Sequence, residues 1–380
     1  MNPTNKIRVA VLFGGRSSEH EVSLRSAENV IQYLDPAYFE VVPIGIDKQG
    51  NWFTGSDIFA KSLAQQTVPQ LSEGSSTWFT PEWVGKEVAA TTVKDIATNK
   101  NSSNLFDVIF PAVHGSFCED GTLQGLLELA GLPYVGCGVL SSAVGMDKDV
   151  SKRLAILAGV PVAPYLVYKK DRWQTHPAII TREVAEKLAY PVFVKPANTG
   201  SSIGITKVKS ADQLAAAVDE AFRFDTKILI EKALNVLELE VAVLESLEPD
   251  ADPIVSVVGE IKPRHEFYSY DAKYLDENGA ELLIPASTSK EISQHAQVLA
   301  KKLFIALECE GMARVDLFYA KDSKQIYFNE VNTIPGFTQI SMYPKLMSAS
   351  GVSYAELLTH LIKLAMNRHK QKEQLIRSYA

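Results

Sequence analysis

The chain has 380 residues, enough for two or three domains with ordinary cores, and 46% hydrophobic with 22% charged residues is the balance of a soluble globular protein. A formal net charge of −7 argues against nucleic acid as a main partner, because phosphate backbones select basic surfaces. Three cysteines, an odd number without Cys-x-x-Cys spacing, argue against a disulfide framework and for a reducing compartment, so a cytoplasmic location is expected.

Lys6 to Phe13 has the pattern of a buried strand and no apolar run suited to a signal peptide. Gly14 and Gly15 follow, then Ser18-x-x-Glu21, the spacing of a helix capping box, ahead of apolar positions Val22, Leu24, Ala27, Val30, Ile31 and Leu34. Strand, glycine turn and helix start together form the geometry that holds an anion on backbone N–H donors. The Gly-x-Gly-x-x-Gly fingerprint is missing ahead of the second strand, Phe39 to Ile46, which weakens a nicotinamide reading. Residues 52 to 104 show weak periodicity and many Ser, Thr, Gln and Asn, and read as a surface excursion.

Leu105 to Val113 is a further parallel-type strand, with His114-Gly115 and Glu119-Asp120-Gly121 at the carboxyl end where open α/β sheets bind ligands. A single histidine after a strand is more often structural than catalytic; the adjoining glycine and acidic pair improve the odds of chemistry. A helix is expected over 122–130. Leu129 to Met146 is eighteen residues without a charge, but Pro133 and four glycines break it, so no membrane span is expected.

Met146 to Ala158 predicts a helix carrying Lys148 and Lys152, a charged face of the kind that is ordinarily solvated. A helix over 183–188 leads into the strand 190–196, whose Lys195 precedes the small-residue loop 197–205 with Ser201 and Ser202. Glycines there let backbone approach phosphates, and hydroxyls and N–H groups supply donors. It is not a Walker loop, because no Gly-Lys-Ser/Thr opens a helix. The strand lysine favours chemistry over a plain hairpin turn, since it would reach phosphate oxygens as a point charge.

After a helix over 211–224 come strands 227–232 and 237–244, the latter with Glu238 and Glu240 on one face. Residues 267 to 274 hold four aromatics with Asp271 and Lys273 between them, which suggests a loop closing over a ligand. Lys290 to Leu307 predicts a long helix. Strands over 314–319 and 325–332 then form a hairpin through a polar link, and if their faces coincide, Asp316, Glu330 and Asn332 make an all-oxygen cluster. Hard cations such as Mg²⁺ take a carboxylate or two plus phosphate oxygens, which makes this the core of a metal-nucleotide site. Asn332-Thr333-x-Pro335-Gly336 ends the hairpin in a rigid turn with free N–H groups. A helix over 353–366 and a basic, frayed tail complete the chain.

Six segments in this order, GGRSSEHEVSL, HGSFCEDGTLQG, VKPANTGSSIG, YSYDAKY, ARVDLFY and NEVNTIPGFT, run from residue 14 to about 340. Together they resemble the D-alanine–D-alanine ligases of the ATP-grasp superfamily. The resemblance implies a mixed α/β fold in a three-domain ATP-grasp arrangement. Residues 1–142 would form a Rossmann-like domain, 143–235 a central subdomain and 236–380 a C-terminal subdomain, with ATP between two antiparallel sheets. It also implies a homodimer and ATP-driven joining of two D-alanines through an acyl phosphate.

Carried over by motif, Glu19 would hold the ammonium of the first D-alanine with His114 nearby, and would join Ser201 and Tyr274 in a hydrogen-bonded set. Lys148, Lys195 and Ser202 would contact ATP phosphates, and Lys273 would neutralise the γ-phosphate. Arg314 and the Gly336 N–H would stabilise the oxyanion. Asp316, Glu330 and Asn332 would bind two Mg²⁺ or Mn²⁺ ions. Glu231, Lys232, Ala233 and Leu234 would face adenine, and Ser341 and Met342 would line the second D-alanine site. Glu238 would take the ribose, but the glycine common in the family is replaced near it by Val236-Leu237, which leaves Glu240 open for that role. Tyr274 stands where relatives that make D-alanyl-D-lactate depart from the Lys-Tyr pattern, which favours an amine as second substrate. The rivals are an ATP-grasp ligase for another acid and amine, a nucleotide-binding regulator without turnover, and a nicotinamide oxidoreductase.

Overall fold

A computed structural model describes residues 6–54, 58–65, 106–263 and 280–376. Among them the strand patterns resolve into three sheets, and the mixed α/β architecture expected from the sequence is found. The first contains β1 (Ile7–Gly14), β2 (Phe39–Ile46), β3 (Trp52–Thr54) and β4 (Val108–Pro111) in the order β3-β2-β1-β4. Strand β1 runs parallel to both β2 and β4, and its run Val9 to Phe13 is fully buried, as a central strand covered on two faces must be. Helix α1 (His20–Tyr33) covers one side with Leu24, Ala27 and Val30.

The capping box expected at Ser18 does not form. Glu19 occupies the cap position without a side-chain cap bond, and Glu21 is drawn to Lys48 at 2.6 Å instead. Helix α2 (Ile58–Gln65) is part of the excursion after β3, most of which lies outside the described residues, and helix α3 (Thr122–Ala130) falls where its periodicity placed it.

The helix expected over 146–158 is α5 (Lys148–Leu157), and a further helix that was not expected, α4 (Val139–Met146), precedes it across Asp147. Asp147 has an extended ψ of 100°, and its carboxylate accepts from the backbone of Asp149 and Val150 at 3.1 Å each, which is a helix restart. Lys148 thereby becomes the first residue of a helix that packs on the third sheet to be described below.

A second sheet is wholly antiparallel: β5 (Tyr165–Lys169), β6 (Val192–Pro196), β7 (Thr206–Val208) and β8 (Lys227–Lys232) lie in the order β5-β8-β6-β7. Helices α6 (Lys170–Thr175), α7 (Pro177–Lys187) and α8 (Ala211–Ala221) cover one face, with Ile180, Val184, Leu214 and Val218 buried against Val192, Val194, Ile228 and Ile230. The helix read over 183–188 is the end of α7, which opens at a proline, a residue suited to the first helical position.

The third sheet is also antiparallel and holds β9 (Val236–Leu244), β10 (Ile254–Pro263), β11 (Ala280–Leu283), β12 (Met312–Ala320) and β13 (Gln325–Asn332) in the order β11-β10-β9-β12-β13. Helix α9 (Lys290–Ala306) buries Leu299 and Leu303 against Val315 and Leu317 on one face. On the other, α10 (Met342–Ala349) and α11 (Tyr354–Glu373) pack against Ala242 and Leu244 and merge with the core of the first sheet. The basic end of the chain is not frayed over the described residues. Arg368 donates to the carbonyls of Gly136 and Tyr134 at 2.7 and 2.8 Å, and Lys372 meets Glu128 at 2.5 Å, so the last turns of α11 clamp the first unit.

Candidate active site

The hairpin register puts Arg314 opposite Asn332 and Asp316 opposite Glu330, and β9 adds Glu240 opposite Asp316. Cross-strand partners share a face, so these five polar side chains converge. Arg314 grips Asp316 through two hydrogen bonds of 2.7 Å and meets Glu240 at 3.1 Å, while the Asn332 amide donates to Asp316 at 3.0 Å. Burial works against the Arg314 charge, but Asp316 and Glu240 outweigh it and hold the guanidinium well above its ordinary pKa. Lys148 completes the group, 3.1 Å from Glu330 and donating to the Thr199 carbonyl at 2.7 Å.

No cluster of three or more His, Cys, Asp or Glu suited to a metal occurs among the described residues. Asp316, Glu330 and Asn332 nevertheless offer two carboxylates and an amide oxygen on one face, a hard donor set that fits Mg²⁺ once phosphate oxygens complete the shell. Asp316, bonded to Arg314, is not among the residues that line the cleft, whereas Glu330 and Asn332 are.

The loop after β6 carries Ser201 and Ser202 at φ 52° and 59°, left-handed conformations that turn the chain sharply toward α1. The Ser201 hydroxyl donates to the Glu19 carboxylate across 182 residues of sequence. Gly115, at φ 79°, brings the backbone against the same carboxylate: a β-carbon there would lie 2.6 Å from Glu19 Oε2. His114 is buried, accepts from the Ser26 hydroxyl at 2.8 Å on Nε2, and donates from Nδ1 to the Ile334 carbonyl at 3.2 Å. Burial lowers its pKa, so it is a neutral hydrogen-bonding wedge between α1 and the end of β13. Glu119 accepts from the Gly115 N–H at 2.8 Å, and burial followed by the Glu19 charge raises its pKa.

These groups surround one cleft of about 960 Å³. Glu19, His114 and Glu119 enter from the first unit, Thr199 to Ser201 from the glycine loop, and Arg314, Glu330 and Asn332 from the hairpin. Gly336, Ser341 and Met342 form the far wall, where Ser341 caps α10 and shares a 2.7 Å hydrogen bond with Thr338.

Other expected residues lie outside that lining. Lys195 and Glu231 are buried in a chain of charges: Glu231 meets Lys195 at 2.7 Å and Lys152 at 2.8 Å. Burial would raise the Glu231 carboxyl, but the two ammonium groups prevail and depress it to about 2. Lys232 is exposed and Ala233, Leu234, Ser202 and Glu238 are half-buried; the N–H groups of Lys232 and Ala233 bond to the carbonyls of Pro164 and Pro191. Lys273 and Tyr274, with most of the expected closing loop, fall outside the described residues.

Sequence reading passed over Glu119 and Lys152 as site members and offered Glu240 only as an alternative to Glu238 for the ribose, not as a partner of Arg314. Glu119 stood in its motif without a role. Lys152 lies four residues after Lys148 and so on the same helix face, a signal that was present but indistinguishable from a solvated stripe. Taken together, the cleft places cations for a polyanion beside a carboxylate for an ammonium, with an N–H-rich turn between them.

Two family models match this chain: D-ala D-ala ligase N-terminus over residues 8–137 and D-ala D-ala ligase C-terminus over residues 154–363. A D-alanine–D-alanine ligase A from Bradyrhizobium diazoefficiens is 48% identical over 379 residues, 99% of each chain. A D-alanine–D-alanine ligase from Caldicellulosiruptor bescii is 48% identical over 370 residues, 97% of this chain and 98% of that one. Among solved structures, the VanG D-Ala:D-Ser ligase from Enterococcus faecalis superposes with a TM-score of 0.79 at 37% identity, over 95% of this chain and 100% of the other. The D-alanine–D-alanine ligase from Coxiella burnetii gives 0.75 at 33%, over 98% and 97%.

Proposed function

Because the chain belongs to the D-alanine–D-alanine ligase family, we propose that it joins two D-alanines with ATP to make D-alanyl-D-alanine for peptidoglycan precursor synthesis. The observation that carries the residue assignments is the meeting of Glu19 and Ser201 with Arg314, Lys148 and Glu330 around a single cleft.

The reaction has two steps. A carboxylate oxygen of the first D-alanine attacks the γ-phosphorus of ATP, forming an acyl phosphate and releasing ADP. The amine of the second D-alanine then attacks the acyl carbon. The resulting tetrahedral oxyanion collapses with loss of phosphate and of the amine's proton, leaving a peptide bond. Both steps concentrate negative charge, so catalysis is largely positioning and electrostatic stabilisation.

In this reading Glu19, held by Ser201 and by the close approach of Gly115, takes the ammonium of the first D-alanine. His114, neutral and locked by Ser26 and Ile334, fixes the wall beside it. Lys148 and Lys195 serve the phosphates, with Ser202 on the loop after β6 as an additional donor. Arg314 and the Gly336 N–H face the tetrahedral oxyanion. Asp316, Glu330 and Asn332 would hold Mg²⁺ or Mn²⁺, which when bound draws charge from phosphate oxygens. Residues 231–234 border adenine mainly through backbone, because the Glu231 side chain is already committed to two lysines. Glu238 serves the ribose in preference to Glu240, since Glu240 is engaged by Arg314. Ser341 and Met342 line the second D-alanine site. Lys273 and Tyr274 keep the roles their motif implies, at the γ-phosphate and beside Ser201. A homodimer is part of the same proposal, as is a cytoplasmic location; no described helix is long and apolar enough to cross a membrane.

The test is phosphate release from ATP and Mg²⁺ with D-alanine, with L-alanine, and with D-alanine plus D-lactate or D-serine, products identified by mass. Release with D-alanine alone, yielding the dipeptide, is expected. ATP binding without D-alanine-dependent release would send the substrate assignment to another acid and amine.

A further inference from the structure

Gly259 sits in β10 directly opposite Glu240 of β9, so it shares the sheet face from which Glu240 reaches Arg314. Two residues along that face, Ile261 and its cross-strand partner Leu282 line the cleft. The space a β-carbon on Gly259 would need is filled by the terminal methyl of Met342, and a methyl of Leu346 lies 3.0 Å from the same point. Met342 opens α10, is almost wholly buried, and itself lines the cleft. The missing side chain is thus a socket in the sheet that receives the end of the Met342 thioether.

We propose that Gly259 is a specificity-determining position: by receiving the Met342 methyl it sets the depth of the pocket for the second amino acid, and so the side-chain size of the acceptor. This rests on the reading that Met342 lines the acceptor site. The physical reason is the pliancy of methionine. An unbranched thioether with several rotatable bonds yields at its tip before the sheet does. Leu346 crowds the same socket and Met342 lines the cleft, so the displaced methyl is expected to move toward the cleft. Gly259 does not have a left-handed φ, so alanine is conformationally acceptable there and is favoured over glycine in a strand. The expected consequence of Gly259→Ala is a shallower acceptor pocket in an intact protein.

The experiment is a competition. Wild type, Gly259→Ala, Met342→Ala and the double variant are each given ATP, Mg²⁺, D-alanine and D-2-aminobutyrate, which is one methylene larger. The ratio of D-alanyl-D-2-aminobutyrate to D-alanyl-D-alanine is read by tandem mass spectrometry. Gly259→Ala should lower that ratio by about tenfold, the low end of what one methylene commands in an apolar pocket. The double variant should return to the ratio of Met342→Ala, because the colliding methyl is gone. An unchanged ratio in Gly259→Ala beside a shifted one in Met342→Ala would overturn this inference and leave the acceptor site where it is. An unchanged ratio in Met342→Ala would overturn the acceptor-site reading itself.

Discussion

Replacing Glu231 by glutamine would leave two buried lysines without their shared counter-charge. Glu231 is 2% exposed, and its carboxyl is depressed from 4.5 to about 2 in the folded protein. That difference corresponds to about 3 kcal/mol of stabilisation at neutral pH, the low end of the roughly 3–5 kcal/mol lost when one partner of a buried pair is removed. The two partners are not equivalent. Burial outweighs Glu231 at Lys152 and holds that ammonium below its ordinary pKa, so the pair does not fully repay the desolvation of Lys152. Lys152→Met should therefore cost less than Glu231→Gln, since Glu231 keeps Lys195 and the repulsion between lysines disappears. Hydrogen exchange followed by mass over Val192–Pro196 and Lys227–Lys232 reads the local effect: Glu231→Gln should exchange about a hundredfold faster than wild type, Lys152→Met by a smaller factor. A depressed carboxyl contributes above its unfolded value and is lost on acidification, so wild-type protection should fall between pH 4.5 and about 2, with a flatter profile in the glutamine variant. Equal exchange in the two variants, or a glutamine variant as protected as wild type, would refute the reasoning.

Glu330→Gln should cut turnover strongly and raise the Mg²⁺ concentration needed for half-maximal rate; a near wild-type rate at limiting Mg²⁺ would sink the metal assignment. Gly115→Ala should raise the KM for the first D-alanine with a smaller effect on ATP, because the new methyl and the positive φ both displace the Glu19 carboxylate. Steady-state titration of each substrate separates the two, and a KM for D-alanine unchanged within twofold would contradict that geometry.

The hairpin of β12 and β13 shows how far local pattern reaches. Period-two alternation alone put Arg314, Asp316, Glu330 and Asn332 on faces that the register then brought together, because strand periodicity and a short link leave few alternatives. Lys195 at the end of a strand, the serine loop after it and the turn at Gly336 were legible for the same reason: their conformational demands lie within a few residues. The capping box at Ser18 was a local signal that a tertiary contact overrode, since Lys48 takes its acid, Glu21. The helix read over 146–158 begins at Lys148 because Asp147 is its N-cap and is held by Lys227 at 2.7 Å, whereas the helix over 139–146 before it was not expected.

The amino-acid sequence by itself determined many of the elements, the polar face of the hairpin and the family to which the motifs belong, but not the strand Ile254–Pro263 or the helices Val139–Met146 and Met342–Ala349. Only the tertiary structure decided that His114 locks onto Ile334 across 220 residues and that Lys152 is a buried cation instead of a solvated one. The difference is one of range. Periodicity and turn chemistry act through the backbone within a few residues. Which distant side chain satisfies a buried charge depends on how the sheets pack, and no local spacing encodes that.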